Sequence, residues 1–447
     1  GSTCWATGCG TCWIPDSDET GSGSRRAWAR TGRGACGIPG PDERRPAVGA
    51  MSVRRAAGAA ARVDRAVRAA IVDGLARGVF PGAVVAVRHE GRWLVHAAFG
   101  HAQVVPRPRP MTVEAVFDLA SLTKPLATTA VALHLWGCGL LDLDAPVGAM
   151  LPAFGRGQHA RVTVRHLLAH TAGLRAWEPL YLPAPRPRGR SHPPGGARAR
   201  GCRTVAQAVR RIAATPPVAP PGARVEYSDL GFIVLGHLLE RLAGAPLDVL
   251  VRRLVARPLG LHTLRFRPPA SWRCVATEAG NAYERQRAAA QGLGARFRWR
   301  THVLRGEVHD GNAWYVGRGV AGHAGLFGTA ADVAWLGQTW LDGGAAGGAR
   351  VLPAGVVREA VRDQAPGLQP GRRGLGWALA GWPFAGRRAS SGAFGHTGFT
   401  GTSVLVDPAR ALVVVLLTNR VHPSAANDRI LAFRPAFHDA VLEACDG

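Results

Sequence analysis

Ser121 and Lys124 stand three residues apart in Ala120-Ser121-Leu122-Thr123-Lys124-Pro125, a spacing that on a helix brings a hydroxyl and an ammonium onto one face. A serine hydroxyl is a weak nucleophile until a neighbouring base takes its proton, and a neutral lysine is one such base. Composition singles out this lysine: among the 55 Lys and Arg residues of a 447-residue chain it is the only lysine. Arginine matches lysine as a surface cation, but its guanidinium does not give up a proton in a protein. A chain that writes arginine everywhere else therefore keeps lysine where proton chemistry needs it. Behind the serine, Leu126, Ala130, Leu133 and Leu135 recur at helical spacing and predict a helix that starts at Ser121 and ends near residues 137–139. The start of such a helix offers unpaired N–H groups and a positive dipole end, useful where an oxyanion forms. The bland reading of the pair is an N-cap serine followed by a solvated lysine, because S-x-x-K is a short pattern.

Two further clusters carry groups suited to acyl transfer. Tyr227-Ser228-Asp229 precedes the helical pattern of residues 232–242, and His396-Thr397-Gly398-Phe399 precedes a pair of strands. A phenol beside an ammonium is a candidate base, so Tyr227 and Lys124 are both open for that role. Asp229 near Lys124 would favour the charged ammonium and shift the choice toward Tyr227. His309, Asp310, Asn312 and His323 include metal-ligand types, but the set is incomplete, and hydrogen-bonded structural roles are expected. Cys9-Gly10-Thr11-Cys12 has a C-x-x-C form without a second pair. No metal, cofactor or disulfide framework is expected.

The elements that must position these groups follow from patterning. A hydrophobic content of 47% suits a globular core. The formal net charge of +25 comes from arginines spread along the chain, without a basic tail or a nucleic-acid motif, so no specific nucleic-acid partner is expected. The longest aliphatic run, residues 411–417, is far short of the roughly 20 residues of a membrane helix and reads as a buried strand. Residues 1–50 lack periodicity and are expected to be a disordered or non-native leader ahead of Met51. No convincing export signal follows, so a cytoplasmic location is expected, with the periplasm as the alternative. Residues 63–78 predict an amphipathic helix closed by Gly78. Residues 83–88 and 92–98 predict a hairpin turning at His89-Glu90-Gly91, and residues 163–173 a short helix capped by Thr163 and stopped at Gly173. Residues 183–203 read as a surface insertion, and residues 266–320 show no clear pattern. Strands at 402–406 and 411–417 complete an α/β sandwich: an antiparallel sheet joins segments 79–100 and 395–420, with helices between, in one domain over residues 51–447.

Taken in order, these motifs resemble the serine β-lactamase and penicillin-binding-protein superfamily, specifically its class C-like branch of esterases, D-alanyl-D-alanine carboxypeptidases and β-lactamases. Ser121-Leu122-Thr123-Lys124 resembles the S-x-x-K motif, whose serine becomes acylated. Tyr227-Ser228-Asp229 resembles Tyr-x-Asn with Asp in third place, and His396-Thr397-Gly398 stands where many members carry Lys-Thr-Gly. The resemblance implies a β-lactamase/transpeptidase-like fold with a mostly helical subdomain. It implies catalysis by Ser121, Lys124 and Tyr227, with Asp229, His396, Thr397, Gly398 and Phe399 at the substrate and the oxyanion. The oxyanion hole would use the N–H groups of Ser121 and Phe399. The expected activity is a metal-independent serine hydrolase working through an acyl-enzyme on a small ester, amide or peptidoglycan-like substrate. β-Lactamase activity proper, or an inert binding protein of the same fold, is the alternative. With His396 in place of a fixed cation, the third motif is expected to donate a neutral hydrogen bond, which leans toward uncharged esters or amides.

Overall fold

Strand β1 (Gly82–His89) is apolar on both faces, and both faces are covered. Val84 and Ala86 enter one core, and Ala83, Val85 and Val87 enter another, so the period of two divides the chain into layers. The structure, a computed structural model, describes residues 50–184 and 201–447, and Gly58–Gly447 form one unit. The expected leader and most of the insertion at 183–203 lie outside the described residues. After β1 come β2 (Arg92–Gln103), β3 (Arg109–Pro110), β4 (Ala378–Leu379), β5 (Phe394–Thr397), β6 (Ser403–Asp407) and β7 (Leu412–Thr418). All are antiparallel in the order β4-β5-β6-β7-β1-β2-β3, which pairs strands from opposite ends of the chain. Val85 lies opposite Leu416 in that pairing. The predicted hairpin forms with Glu90 and Gly91 at φ +49° and +75°, the double positive-φ loop that matches strand twist.

Helices cover both faces. On one, Val63, Val67 and Ile71 of the helix Ala50–Ala76 and Phe433, Phe437 and Val441 of the helix Ile430–Asp446 pack on Val85, Leu405, Val414 and Leu416. On the other, Val333, Leu336 and Trp340 of the helix Ala330–Leu341 join Val404, Val406, Val413 and Val415 in a core that runs into the helical region. The family's fold, a sheet between helices with a helical lobe, is what these layers make.

Two predicted helices differ in detail. The segment after Ser121 is a 3-10 turn (Ala120–Leu122), a π-helical stretch (Lys124–Thr129) and then an α-helix (Ala130–Gly137). Pro125 has no N–H to give to the preceding turn, so regular α-helical bonding cannot run through it. The helix capped by Thr163 stops at Leu168 rather than running to Gly173, because His170 takes a left-handed φ of +58°. That reversal carries His170 inward, where it is buried.

The C-terminal helix is anchored by His438, whose Nδ1–H donates to the Phe384 carbonyl at 2.7 Å and whose Nε2 has no hydrogen-bond partner. Burial holds the imidazole neutral, with its pKa lowered to about 4. A histidine depressed in the folded state contributes stability above its unfolded pKa of roughly 6.5 and loses it as pH falls toward the folded value. From pH 7 to pH 5 this one group should cost about 2 kcal/mol. Urea unfolding of wild type and His438→Gln at both pH values should show a pH dependence smaller by about that amount in the variant; equal pH dependence would remove His438 from the account.

Candidate active site

Lys124 is completely buried, and its ammonium spends its three protons on three partners. They are Ser121 Oγ at 2.9 Å, Asp229 Oδ1 at 2.6 Å and the His323 carbonyl at 3.2 Å. Burial alone would push the lysine pKa down, but Asp229 and Tyr227 outweigh it and hold it above its usual value. Asp229 begins the helix Asp229–Ala243, with Ser228 as N-cap accepting from the Gly231 N–H at 3.1 Å, so the carboxylate also sits at the positive end of that helix.

The nucleophile's own turn is held from two sides. Ala120, just before it, is left-handed at φ +47°, a conformation that costs a non-glycine residue. Asp118 compensates: its Oδ1 accepts from the Ala120 N–H at 2.9 Å and its Oδ2 from the His309 N–H at 2.7 Å. Thr400 and Thr402 donate to the carbonyls of Asp118 and Leu119, which docks the third motif's turn against the nucleophile's. Gly398 lies between them; a Cβ there would stand 2.1 Å from Thr402 Oγ1 and 2.7 Å from the Leu119 carbonyl. Among the described residues, neither the Ser121 N–H nor the Phe399 N–H has an acceptor, which leaves two backbone donors for an oxyanion. The Phe399 peptide is fixed from its other side by Arg420 Nε, which donates to its carbonyl at 2.8 Å.

Tyr227 is bracketed by His170, whose carbonyl accepts from the Glu226 N–H at 2.8 Å and whose Nδ1 accepts from the Ser228 N–H at 3.1 Å. The two ring centres lie 4.5 Å apart with the planes tilted by 35°, and Lys124 Nζ lies 4.8 Å from the Tyr227 ring centre. His170 is therefore the neutral Nε2–H tautomer; burial, and then the charges of Arg373 and Lys124, push its pKa well below the usual value.

His396 corrects an expectation. Its Nδ1 lies 2.8 Å from the Thr397 carbonyl, which can only accept, so the proton is on Nδ1 and the buried, unpartnered Nε2 is an acceptor. The expected neutral donor is instead a neutral acceptor. Burial, followed by Lys124 and Arg373, lowers its pKa well below the usual value, so the imidazole does not charge as pH falls toward 6.

Ser121 opens on two cavities. One, of about 90 Å³, is lined by Asp118, Asp229, Glu284, His309, Asp310, His323 and Phe399. The other, of about 350 Å³, is lined by Tyr227, Arg373, Trp382, His396, Thr397 and Phe399. Much of the first wall comes from the segment that showed no pattern in sequence. There His323 Nε2 meets Asp310 at 2.8 Å and His309 Nε2 meets Glu278 at 3.0 Å, the hydrogen-bonded roles expected for these histidines. Glu284 holds the Tyr181 hydroxyl at 2.5 Å and the Gly311 N–H at 2.7 Å; burial, with Asp310 nearby, raises its pKa. Among the described residues no three His, Cys, Asp or Glu side chains are grouped to hold a metal. Asp118, His170 and Arg373 were missed in the sequence: the first two act through backbone contacts, and the third is one arginine among many.

A hydroxyl bonded to a buried ammonium, a phenol beside that ammonium on the cavity the hydroxyl lines, and two free backbone donors define, on this fold, a serine hydrolase. Comparison with known proteins agrees. The Beta-lactamase family profile matches residues 67–436, and the chain belongs to that family. It is 33% identical over 386 residues to the N-acetylmuramyl-L-alanine amidase of Bacillus subtilis (strain 168), covering 81% of each chain. It is 30% identical over 355 residues to a putative D-alanyl-D-alanine carboxypeptidase of Escherichia coli (strain K12), covering 75% of this chain and 76% of that one. Among solved structures, EstCE1, a hydrolase with promiscuous acyltransferase activity, superposes with a TM-score of 0.63 at 24% identity, covering 87% of this chain and all of the other. A penicillin-binding-protein homologue from Caulobacter crescentus gives 0.62 at 22% identity, covering 85% and 97%.

The contact at Gly398 yields a direct test. Gly398→Ala must push the third motif's turn away from the nucleophile's turn, because one of the atoms in its way is backbone. The variant should remain folded by circular dichroism while ester hydrolysis falls by roughly 100-fold or more. Unchanged hydrolysis would show that this close approach is not needed.

Proposed function

We propose that the chain hydrolyses an amide or ester of the peptidoglycan type through an acyl-enzyme on Ser121, with Tyr227 as the proton carrier. The observation that carries this reading is the Lys124 ammonium, which has no lone pair to offer and donates one of its protons to Ser121 Oγ. A charged lysine orients the hydroxyl and stabilises negative charge but is not the base, which leaves Tyr227. In the first half-reaction Ser121 Oγ attacks the substrate carbonyl as Tyr227, acting as the phenolate, takes its proton. The carbonyl oxygen becomes an oxyanion facing the N–H groups of Ser121 and Phe399. Collapse breaks the bond to the leaving group, which receives the proton from Tyr227. Water then attacks the acyl-enzyme and gives a proton to Tyr227; collapse breaks the bond to Ser121 Oγ, which takes that proton back from Tyr227 as the acid leaves. The negative charge that the phenolate carries before it takes each proton, and regains on handing it on, lies beside Lys124 and Arg373, whose centres are 4.8 and 5.5 Å from the ring. The names of the Bacillus and Escherichia relatives, an amidase and a putative carboxypeptidase, favour an amide of cell-wall type over a simple ester.

Intact-mass spectrometry after fluorophosphonate treatment should show one adduct, on Ser121, and none on Ser121→Ala. Tyr227→Phe should stay folded and lower kcat by about 10²–10⁴. Lys124→Arg should lose labelling, since a planar guanidinium cannot meet three partners clustered around a point charge. An unlabelled but folded wild-type protein would instead support the inert binding protein.

A further inference from the structure

Arg434 is only 4% exposed, and the protein gives its guanidinium little in return. Among the described residues its one hydrogen bond runs from Nη2 to the Thr402 carbonyl at 3.4 Å, its Nε has no partner, and no carboxylate lies at ion-pair distance. A charge taken out of water on these terms costs stability, and an apolar side chain would fill the same space without that cost. Burial, and then the charge of Arg420, lowers its pKa to about 9, so at neutral pH it is still a cation.

Arg420 is a second buried cation nearby, 8% exposed and likewise without a paired carboxylate among the described residues. Asp428 and Glu278 act on it only from beyond ion-pair distance. Its Nε donates to the Phe399 carbonyl at 2.8 Å, its guanidinium lies 4.4 Å from the centre of the Phe399 ring, and its Nη1 is anchored on the Asn427 carbonyl at 2.7 Å. The two arginines therefore grip one turn, residues 398–402, at Phe399 and at Thr402.

The rest of that turn is also fixed. Its Gly398 N–H donates to the Thr402 carbonyl at 2.7 Å and its Gly401 N–H to the Gly398 carbonyl at 3.1 Å, while Thr418 Oγ1 donates to the Gly401 carbonyl at 2.9 Å. The Thr400 and Thr402 hydroxyls reach the other way, to the carbonyls of Asp118 and Leu119 beside the nucleophile. Arg434 comes from the helix Ile430–Asp446, which covers the sheet face opposite the core that holds Leu119 and Leu122. The turn thus stands between Ser121 on one side and a cation from the far layer on the other, with the Phe399 N–H left for the oxyanion.

We propose that Arg434 and Arg420 are positioning residues for the oxyanion: they hold from behind the turn that carries the Phe399 N–H, and their unpaired charges are answered when negative charge forms on the substrate's carbonyl oxygen. This rests on the serine-hydrolase reading above. The cost of burying Arg434 is then offset in the tetrahedral intermediate and not in the resting protein, which is the condition for an interaction to lower the barrier. Away from water and salt such charges are weakly screened, so they act on the oxyanion without touching it.

The test separates charge from packing. Arg434→Gln keeps a donor for the Thr402 carbonyl and removes the charge, whereas Arg434→Lys keeps the charge. Hydrolysis of p-nitrophenyl acetate should fall roughly tenfold in kcat/KM in Arg434→Gln, with part of the loss recovered in Arg434→Lys. Phenylboronic acid, which adds to Ser121 Oγ as an anionic tetrahedral boronate, should bind Arg434→Gln weaker by about the same factor, again with recovery in Arg434→Lys. Unchanged kcat/KM and boronate affinity in Arg434→Gln, or losses as large in Arg434→Lys, overturn the proposal. Should Arg434→Gln not fold, Arg420→Gln and Arg420→Lys carry the same comparison with the same outcomes. If wild type does not turn over the ester, boronate calorimetry distinguishes the two readings. Binding that weakens in Arg434→Gln and returns in Arg434→Lys keeps the role of the cations while the hydrolase reading fails; no binding by wild type, or equal binding by Arg434→Gln, removes that role.

Discussion

Taking an ammonium out of water costs several kcal/mol unless its charge and its protons are met, and removing one partner of a buried pair leaves the other exposed to that cost. Lys124 is met by a hydroxyl three residues before it, by a carboxylate at the start of a helix 105 residues later, and by a backbone carbonyl 199 residues later. Each partner comes from a different part of the fold. The same three bonds that make burial tolerable also fix the serine, the start of the helix carrying Asp229 and the His323 segment relative to one another. Chemistry and structure share one interaction here, and the lysine could not be moved without disturbing both.

A second constraint is backbone strain at the nucleophile. Ala120 is held left-handed by a buried carboxylate, Asp118, whose other oxygen takes the His309 N–H, so the strained turn is tied to the wall of the smaller cavity. Burial raises the Asp118 pKa and the two backbone N–H bonds oppose that shift. The third motif closes the arrangement through threonine hydroxyls and a glycine with no room for a side chain. These contacts join residues about 280 positions apart. They require β5 and β6 to deliver their turn beside Ser121, which the antiparallel sheet does.

The two cavities differ in kind. The smaller is lined by carboxylates already engaged with Lys124, histidines, backbone N–H groups or a tyrosine. The larger holds aromatic rings, a neutral imidazole and an unengaged guanidinium. The third motif contributes His396 to the larger cavity, and the turn before β4 contributes Arg373. An imidazole buried next to two cations stays neutral, and the carbonyl that its Nδ1 meets leaves Nε2 as the acceptor.

What the sequence determined by itself is local. The helix start at Ser121, the hairpin at Glu90-Gly91, the buried run ending in β7 and the Thr163 cap follow from periodicity and turn chemistry within a few residues. The lone lysine marked the proton site by composition, and the order of motifs brought Ser121, Lys124, Tyr227, Asp229 and the 396–399 turn into view. Other features were decided only by tertiary structure. His396 became an acceptor because of the carbonyl its Nδ1 meets, and His170 became part of the site because a left-handed residue turned it under Tyr227. Arg373 could not be told from 53 other arginines by residue type, since what distinguishes it is a buried Nε with no hydrogen-bond partner among the described residues. Residue identity and spacing set what a group can do; burial and neighbours from distant segments set its proton and its charge, and those are properties of the packed chain.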